Sequence, residues 1–387
     1  MKNKTSIVFT GDIGFDKYMT GKWEDEDLLS PAVLNFFHSA DHVCANVEGA
    51  LIEVDPSVPR SVCFHAMNPK ATLVLQKMHA DLWSIGNNHT MDAGGEGVAS
   101  TQKIAKELGC QTFGGGMNIA EASQPVYLDE AGGIGMLCLA YMNGCHPATE
   151  TEPGIFRWDD FELISQRIKE IKTKCRWCVI VCHGGEEFTA MPTPYTRDRY
   201  LKFLEMGADV VVGHHPHVAE NYELFDDNKA IFYSLGNFIF DTDYQRAHPY
   251  TDRGVLLKLI FTEDKMSFEA IGTKIIRDSE QIDIAPLPDI FTDIPAGEYE
   301  LLAPLAAQGF VVDEQRKMLY LEPGKFSGFD QKAWDVYFRK GKLEEYTEGA
   351  HMDGNILISL ADKSADGAWK QSKLDKVIQY IENQLKG

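Results

Sequence analysis

The chain has 387 residues, 44% hydrophobic and 25% charged, a composition that suits a folded globular protein with room for a large catalytic domain and a smaller unit. Its formal charge of −21 repels nucleic-acid phosphates and anionic lipid surfaces, so neither is expected as a partner. The N-terminal apolar run, TSIVFT, is far shorter than a signal-peptide core, and no stretch reaches the about 18 apolar residues of a membrane span, so a soluble, cytoplasmic protein is expected.

In chain order, short apolar runs alternate with helical patterns up to about residue 260. SIVF (6–9), VCAN (43–46) and DLWSI (81–85) read as strands, and a helix follows from about Gly95 to Leu108, stopped by Gly109 as a left-handed cap. GMLCLA (135–140) is the next strand. The segment DDFELISQRIKEIKTK then places Phe161, Ile164, Ile168 and Ile171 on one helical face. Strands CVIVC (178–182), DVVV (209–212), AIFYSL (230–235) and VLLKLIF (255–261) complete the series. Several of these runs are apolar throughout, as expected of strands covered on both faces, so an α/β architecture built on mostly parallel sheet is predicted. The eight cysteines make no disulfide scaffold in a chain this long, and Cys175-x-x-Cys178 lacks the second pair that a structural zinc site needs.

After residue 283 the style changes. DIAPLPDIFTDIPAG reads as a linker, which divides the chain into a domain over 1–283 and an appended region of unknown role over 284–387. That region ends in a predicted helix near 370–386 with Leu374, Val377, Ile378, Ile381 and Leu385 on one face.

In an α/β sheet, ligands bind beyond the carboxyl ends of the strands. Here six of the eight strand ends carry oxygen or imidazole groups beside glycines: Gly11-Asp12, Asn46-Val47-Glu48-Gly49, Asn87-Asn88-His89-Thr90-Met91-Asp92, His183-Gly184-Gly185-Glu186-Glu187, His214-His215-Pro216-His217 and Gly236-Asn237. One aspartate at such a turn is more often a helix cap, and one histidine more often a satisfied core residue. Six together favour a metal site. Carboxylate, amide oxygen and imidazole without thiolate suit one or two divalent ions of Mn, Fe or Zn. Two ions sharing a carboxylate are an arrangement that hydrolyses phosphate esters, with a nearby histidine protonating the leaving group.

The order GD, N-x-E, NNHxxDxG, HxGxE, GxHPHV and SLGNF resembles the CapA-like family of poly-γ-glutamate (capsule) synthesis proteins, within the calcineurin-like metallophosphoesterase superfamily, over about residues 5–260. The resemblance implies a four-layer α/β/β/α sandwich with a C-terminal extension. It implies Asp12 as a ligand of one ion, Glu48 as the shared carboxylate, Asn88 and His183 on the other ion, His215 on that second ion and His217 on the first. His89 would be the acid, oriented by Asp92, with Asn46, Glu187 and Asn237 lining or supporting the site. His214 falls at a variable position.

Two departures stand out. Superfamily phosphatases carry a histidine where this chain has Gly14, which thins the ligands of the first ion unless Glu53 or Asn46 fills in. Gly184 replaces an aromatic residue, which is expected to open the pocket. The resemblance therefore implies a metal-dependent, metallophosphatase-type hydrolase acting on an anionic small molecule or polymer; the alternative is a non-catalytic, metal-holding accessory or polymer-binding protein. A serine hydrolase is disfavoured by the missing G-x-S-x-G elbow. Tyr195, Arg197 and Arg199 are charge on a helix surface or else pocket lining, and His38, His65, His79, His146, His248 and His351 are read as surface histidines. A homo-oligomer is compatible with the composition.

Overall fold

The computed structural model describes residues 4–288 apart from 56, 59, 62–63, 142–145, 186, 188–191, 193, 227 and 249, together with the backbone of two short strands, Phe310–Asp313 and Met318–Leu321. The helix expected near 370–386, and His351, lie outside the described residues.

The chain starts the first sheet with four parallel neighbours, β1 (Lys4–Ile13), β2 (His42–Val47), β3 (Leu82–Ser84) and β4 (Gln111–Phe113). It crosses to a second sheet for β5 (Val126–Leu128), β6 (Ile134–Ala140), β7 (Trp177–His183), β8 (Val210–His214), β9 (Tyr222–Asp226) and β10 (Lys229–Phe232). Then it returns to the first with β11 (Asn237–Ile239), β12 (Arg253–Thr262), β13 (Met266–Ile276) and β14 (Gln281–Ala285). The first sheet runs β14-β13-β12-β1-β2-β3-β4, with β11 also paired to β1, and the second runs β9-β10-β8-β7-β6-β5. Both are mixed, since β12, β13 and β14 are antiparallel, as are β5 and β9 at the edges of the second sheet.

Side-chain alternation divides the core in two directions. Along β7, Trp177, Val179 and Val181 face the other sheet, while Cys178, Ile180 and Cys182 face the opposite way. Ile7, Phe9 and Cys44 meet them in the layer between the sheets. On the outer face of the first sheet, Val8, Val43 and Ala45 pack under α1 (Pro31–His38), α2 (Thr72–Lys77) and α3 (Gly94–Glu107). On the outer face of the second, Ile180 and Val211 pack under α4 (Phe161–Lys174) and α5 (Pro194–Met206). The result is the α/β/β/α sandwich.

The eight sequence-derived strands are all present, although AIFYSL leaves its strand at Phe232, because the chain must turn through Gly236 at φ +68° to reach the first sheet. In α4, Ile164, Ile168 and Ile171 are buried and Asp160 caps the Leu163 amide, and α3 gives way to Gly109 at φ +76°. The antiparallel edge is where the expected mostly parallel sheet needs correction: β13 alternates, with a partly solvated face, and pairs without any crossover helix. The division placed between 283 and 284 falls within β14, whose Ile282 packs in the outer core, and the appended region stays a proposal.

At the amino ends of the strands one device recurs. Asp41, Asp81 and Asp209 each precede a strand, and each donates its amide to a carbonyl of the neighbouring strand while its carboxylate accepts the amide of that same residue: Ser6 (2.9 Å), Val43 (2.9 Å) and Cys178 (2.7 Å). No orphan is left among these backbone groups.

Candidate metal centre

The carboxyl ends of β1, β2, β3, β7 and β8 meet in one place. β1 and β11 approach so closely that a Cβ on Gly11 would stand 2.2 Å from the Gly236 carbonyl oxygen, and the Asp12 amide donates to that oxygen at 2.9 Å. Asp12 thereby sits between Asn46 on one side and Asn237 on the other, its partners in the ladders.

Glu48 is the centre of the cluster. It is fully buried, and neither carboxylate oxygen has a hydrogen-bond donor. Around Oε1 stand three imidazole nitrogens: His183 Nε2 at 3.6 Å, His217 Nε2 at 3.7 Å and His89 Nε2 at 3.9 Å. His183 Nε2 also lies 2.8 Å from Asn88 Oδ1. His217 Nδ1 is 2.9 Å from Asn237 Oδ1 and 3.2 Å from Asp12 Oδ2, so Nδ1 carries a proton and Nε2 is the nitrogen left for a ligand. Asn237 is itself fixed, its amide donating to Gln245 Oε1 and the Thr251 carbonyl. His215 and His217 both hold positive φ, +97° and +57°, a backbone state that costs an imidazole-bearing residue about 1–3 kcal/mol and clusters at functional sites.

His89 stands at the rim. Its Nδ1 is 2.8 Å from Asp92 Oδ2, which directs Nε2 toward the cluster, and Asn87 Oδ1 accepts its amide. His65 was expected on the surface, yet it is buried here: its amide donates to Asp92 Oδ2 at 2.7 Å, its Nδ1 pairs with Asp16 Oδ2 at 2.6 Å, and its ring meets His89 edge-on at 4.2 Å. No motif announced His65 or Asp16.

The electrostatics follow from burial and crowding. Burial and the Asp12 charge push the Glu48 carboxyl well above the usual carboxylate range. Burial raises Asp12 too, but the hydrogen bond and charge of His217 outweigh it and hold the group below its ordinary value. Burial drives His183 well below the ordinary imidazole value and His215 down to about 4, helped by neighbouring imidazoles. Burial opposes the charge on His217, but Glu48 and Asp12 prevail and lift it to about 10. His183 and His215 are thus held neutral, the ligand form of an imidazole, whereas His217 is held charged and the protonated Glu48 carboxyl is favoured, so an ion entering here would displace protons from both.

Other expectations are corrected. Asn46 donates its amide to Asp12 Oδ1 at 2.8 Å and accepts from Ser84, so it positions Asp12. Glu53 is exposed and offers nothing to the cluster. Gly184 does not open the pocket: a Cβ there would meet Tyr141 and Trp158 at 2.6 and 2.8 Å, and those rings fill the space. Gly14 is closed in the same way by Phe240, at 2.8 Å. Arg197 pairs with Glu223 through two contacts of 2.8 Å, and Arg199 is buried against Trp158 and Phe161, so both are structural; the Tyr195 side chain lies outside the described residues. His214 points its Nε2 at the Thr10 carbonyl and ties the two sheets. His248 is buried and held by the Tyr244 carbonyl, while His38, His79 and His146 are exposed.

Among the described residues, three overlapping triads have ligand atoms within 4.8 Å of one another: Asp12, Glu48 and His217; Glu48, His183 and His215; Glu187, His215 and His217. Orphaned buried carboxylate oxygens facing imidazole nitrogens, with no thiolate, fit a borderline-to-hard divalent cation. No described helix is long and apolar enough to cross a membrane.

Residues 6–242 match the family described as bacterial capsule synthesis protein PGA_cap. The PGA biosynthesis protein CapA of Bacillus subtilis (strain 168) is 28% identical over 247 residues, covering 62% of this chain and 64% of that protein. The capsule biosynthesis protein CapA of Bacillus anthracis is 32% identical over 260 residues, covering 63% and 61%. The match thus spans less than two thirds of either relative. TT1561 of Thermus thermophilus, a solved structure, is 7% identical with a TM-score of 0.37 over 73% of this chain and 99% of its own. The chain belongs to the PGA_cap family, which links it to bacterial capsule synthesis.

Proposed function

We propose that this member of the PGA_cap family is a metal-dependent hydrolase of the metallophosphatase type, acting on an anionic substrate in capsule or poly-γ-glutamate biosynthesis. The observation that carries the reading is Glu48, a doubly orphaned buried carboxylate ringed by three imidazoles. Asp12, Glu48 and His217 would hold one ion, and Glu48, Asn88, His183 and His215 the other. Bound there, divalent ions would supply Lewis-acid activation of a substrate oxygen and of the attacking water. The chain does the rest. Asn46 and Asn237 orient Asp12 and His217. Asp92 holds the Nδ1 proton of His89 and favours the charged ring against the burial that lowers it, so that the imidazolium would pass its Nε2 proton to the leaving group, and Phe240, Tyr141 and Trp158 fill the space beside Gly14 and Gly184.

Turnover of a phosphoester panel and of γ-glutamyl peptides by Mn²⁺-loaded protein, lost in a folded Asn88→Ala variant, is the expected result; no turnover of either class overturns the reading. A second reading, a metal-holding accessory or polymer-binding protein of a capsule-synthesis system, is favoured by Phe240, which closes the place beside Gly14. It predicts bound metal with no turnover.

A further inference from the structure

The Asp12 half of the cluster is short of ligands. Gly14 contributes none, Phe240 occupies the space its side chain would need, and Asn46 turns its amide nitrogen, not its oxygen, toward Asp12. A carboxylate nevertheless reaches this region from the second sheet. Glu187, in the turn after β7, places an oxygen within 4.8 Å of ligand nitrogens of both His215 and His217. The Tyr244 hydroxyl donates to Glu187 Oε2 at 3.3 Å and steadies the side chain from the short helix Asp243–Arg246.

We propose that Glu187 is itself a metal ligand, which replaces from the second sheet the side chain that Gly14 lacks in the first. The assignment rests on the metal-centre reading and deepens it. His217 Nδ1 faces Asn237 and Asp12, so Nε2 is the nitrogen turned toward Glu48 and left for a cation. Metal–ligand bonds of about 2.0–2.2 Å would draw it and the Glu187 carboxylate in with small side-chain adjustments. With Glu187 added, a third carboxylate joins Asp12 and Glu48 beside His217, and the new group shares His215, given above to the second ion.

The test is calorimetric Mn²⁺ titration with elemental analysis of the full chain, comparing wild type, Glu187→Gln and Tyr244→Phe. Whether wild type holds one ion or two, Glu187→Gln is expected to weaken at least one by about tenfold or more, and Tyr244→Phe by less, with melting of the EDTA-treated proteins unchanged. Equal Mn²⁺ affinity and count in wild type and a folded Glu187→Gln overturn the assignment alone. A wild type that takes up no ion overturns the metal-centre reading with it.

Discussion

The two ends of the same strands are built on opposite rules. At the amino ends, Asp41, Asp81 and Asp209 are fully engaged, each exchanging two hydrogen bonds with one residue of the neighbouring strand. At the carboxyl ends, Glu48 is buried with no donor, and two histidines hold strained backbone. The first arrangement minimises the free energy of the bare chain. The second raises it, which is rational where a cation supplies what the protein leaves out.

Four measurements can break that contrast. The largest effect is expected from His183→Ala, which should lower Mn²⁺ affinity, and any turnover, by more than about 100-fold while leaving urea unfolding of the metal-free protein nearly unchanged. A variant that keeps its metal would remove the carboxyl ends from the site. Next, Asp209→Ala strands the Cys178 amide and leaves the Lys172 ammonium only the Arg176 carbonyl, so a loss of about 1–3 kcal/mol in urea unfolding is expected, with ion stoichiometry intact. Glu48→Gln should behave differently: with EDTA present it changes urea unfolding by under about 1 kcal/mol, because burial already favours the protonated carboxyl, while its metal uptake falls. If Glu48→Gln destabilises the metal-free protein by more than that, the carboxyl end is not a strained one.

The smallest effect is a pH dependence at an amino end. The hydrogen bond from His42 to Asp81 raises the imidazole above its ordinary 6.5, against burial. The folded value exceeds the unfolded one, so this stabilisation is complete below 6.5 and disappears as pH rises through the folded value. The stability gap between wild type and His42→Gln should therefore shrink from pH 6 to pH 9, by under about 1 kcal/mol because the pair is partly solvated. A gap that widens would invert the assignment.

Much of this was legible in the chain. The two-sided apolar runs of β1, β7 and β8 announce strands buried on both faces, and the groups after them announce where the site gathers. What stayed hidden depends on contacts distant in sequence. His65 looks like any isolated histidine until Asp16 and Asp92 close around it. Gly184 suggests space, but space is decided by Tyr141 and Trp158, remote in sequence. β4, β5 and β9 are too short or too polar to stand out, and Glu53 is near Glu48 only along the chain.

The amino-end aspartates have a bearing on the geometry of the proposed metal centre that their position conceals. Each belongs to one strand but is bonded to its neighbour, so they act as indexing pins for how far each strand slides past the next. A slip by one residue would displace Asp12, Asn46 or His183 by about 3.3 Å and turn it to the other face. That exceeds any metal–ligand bond. The residues of the proposed metal centre are thus aligned from the far side of the molecule, and loosening a pin should blur ion selectivity before it unfolds the protein.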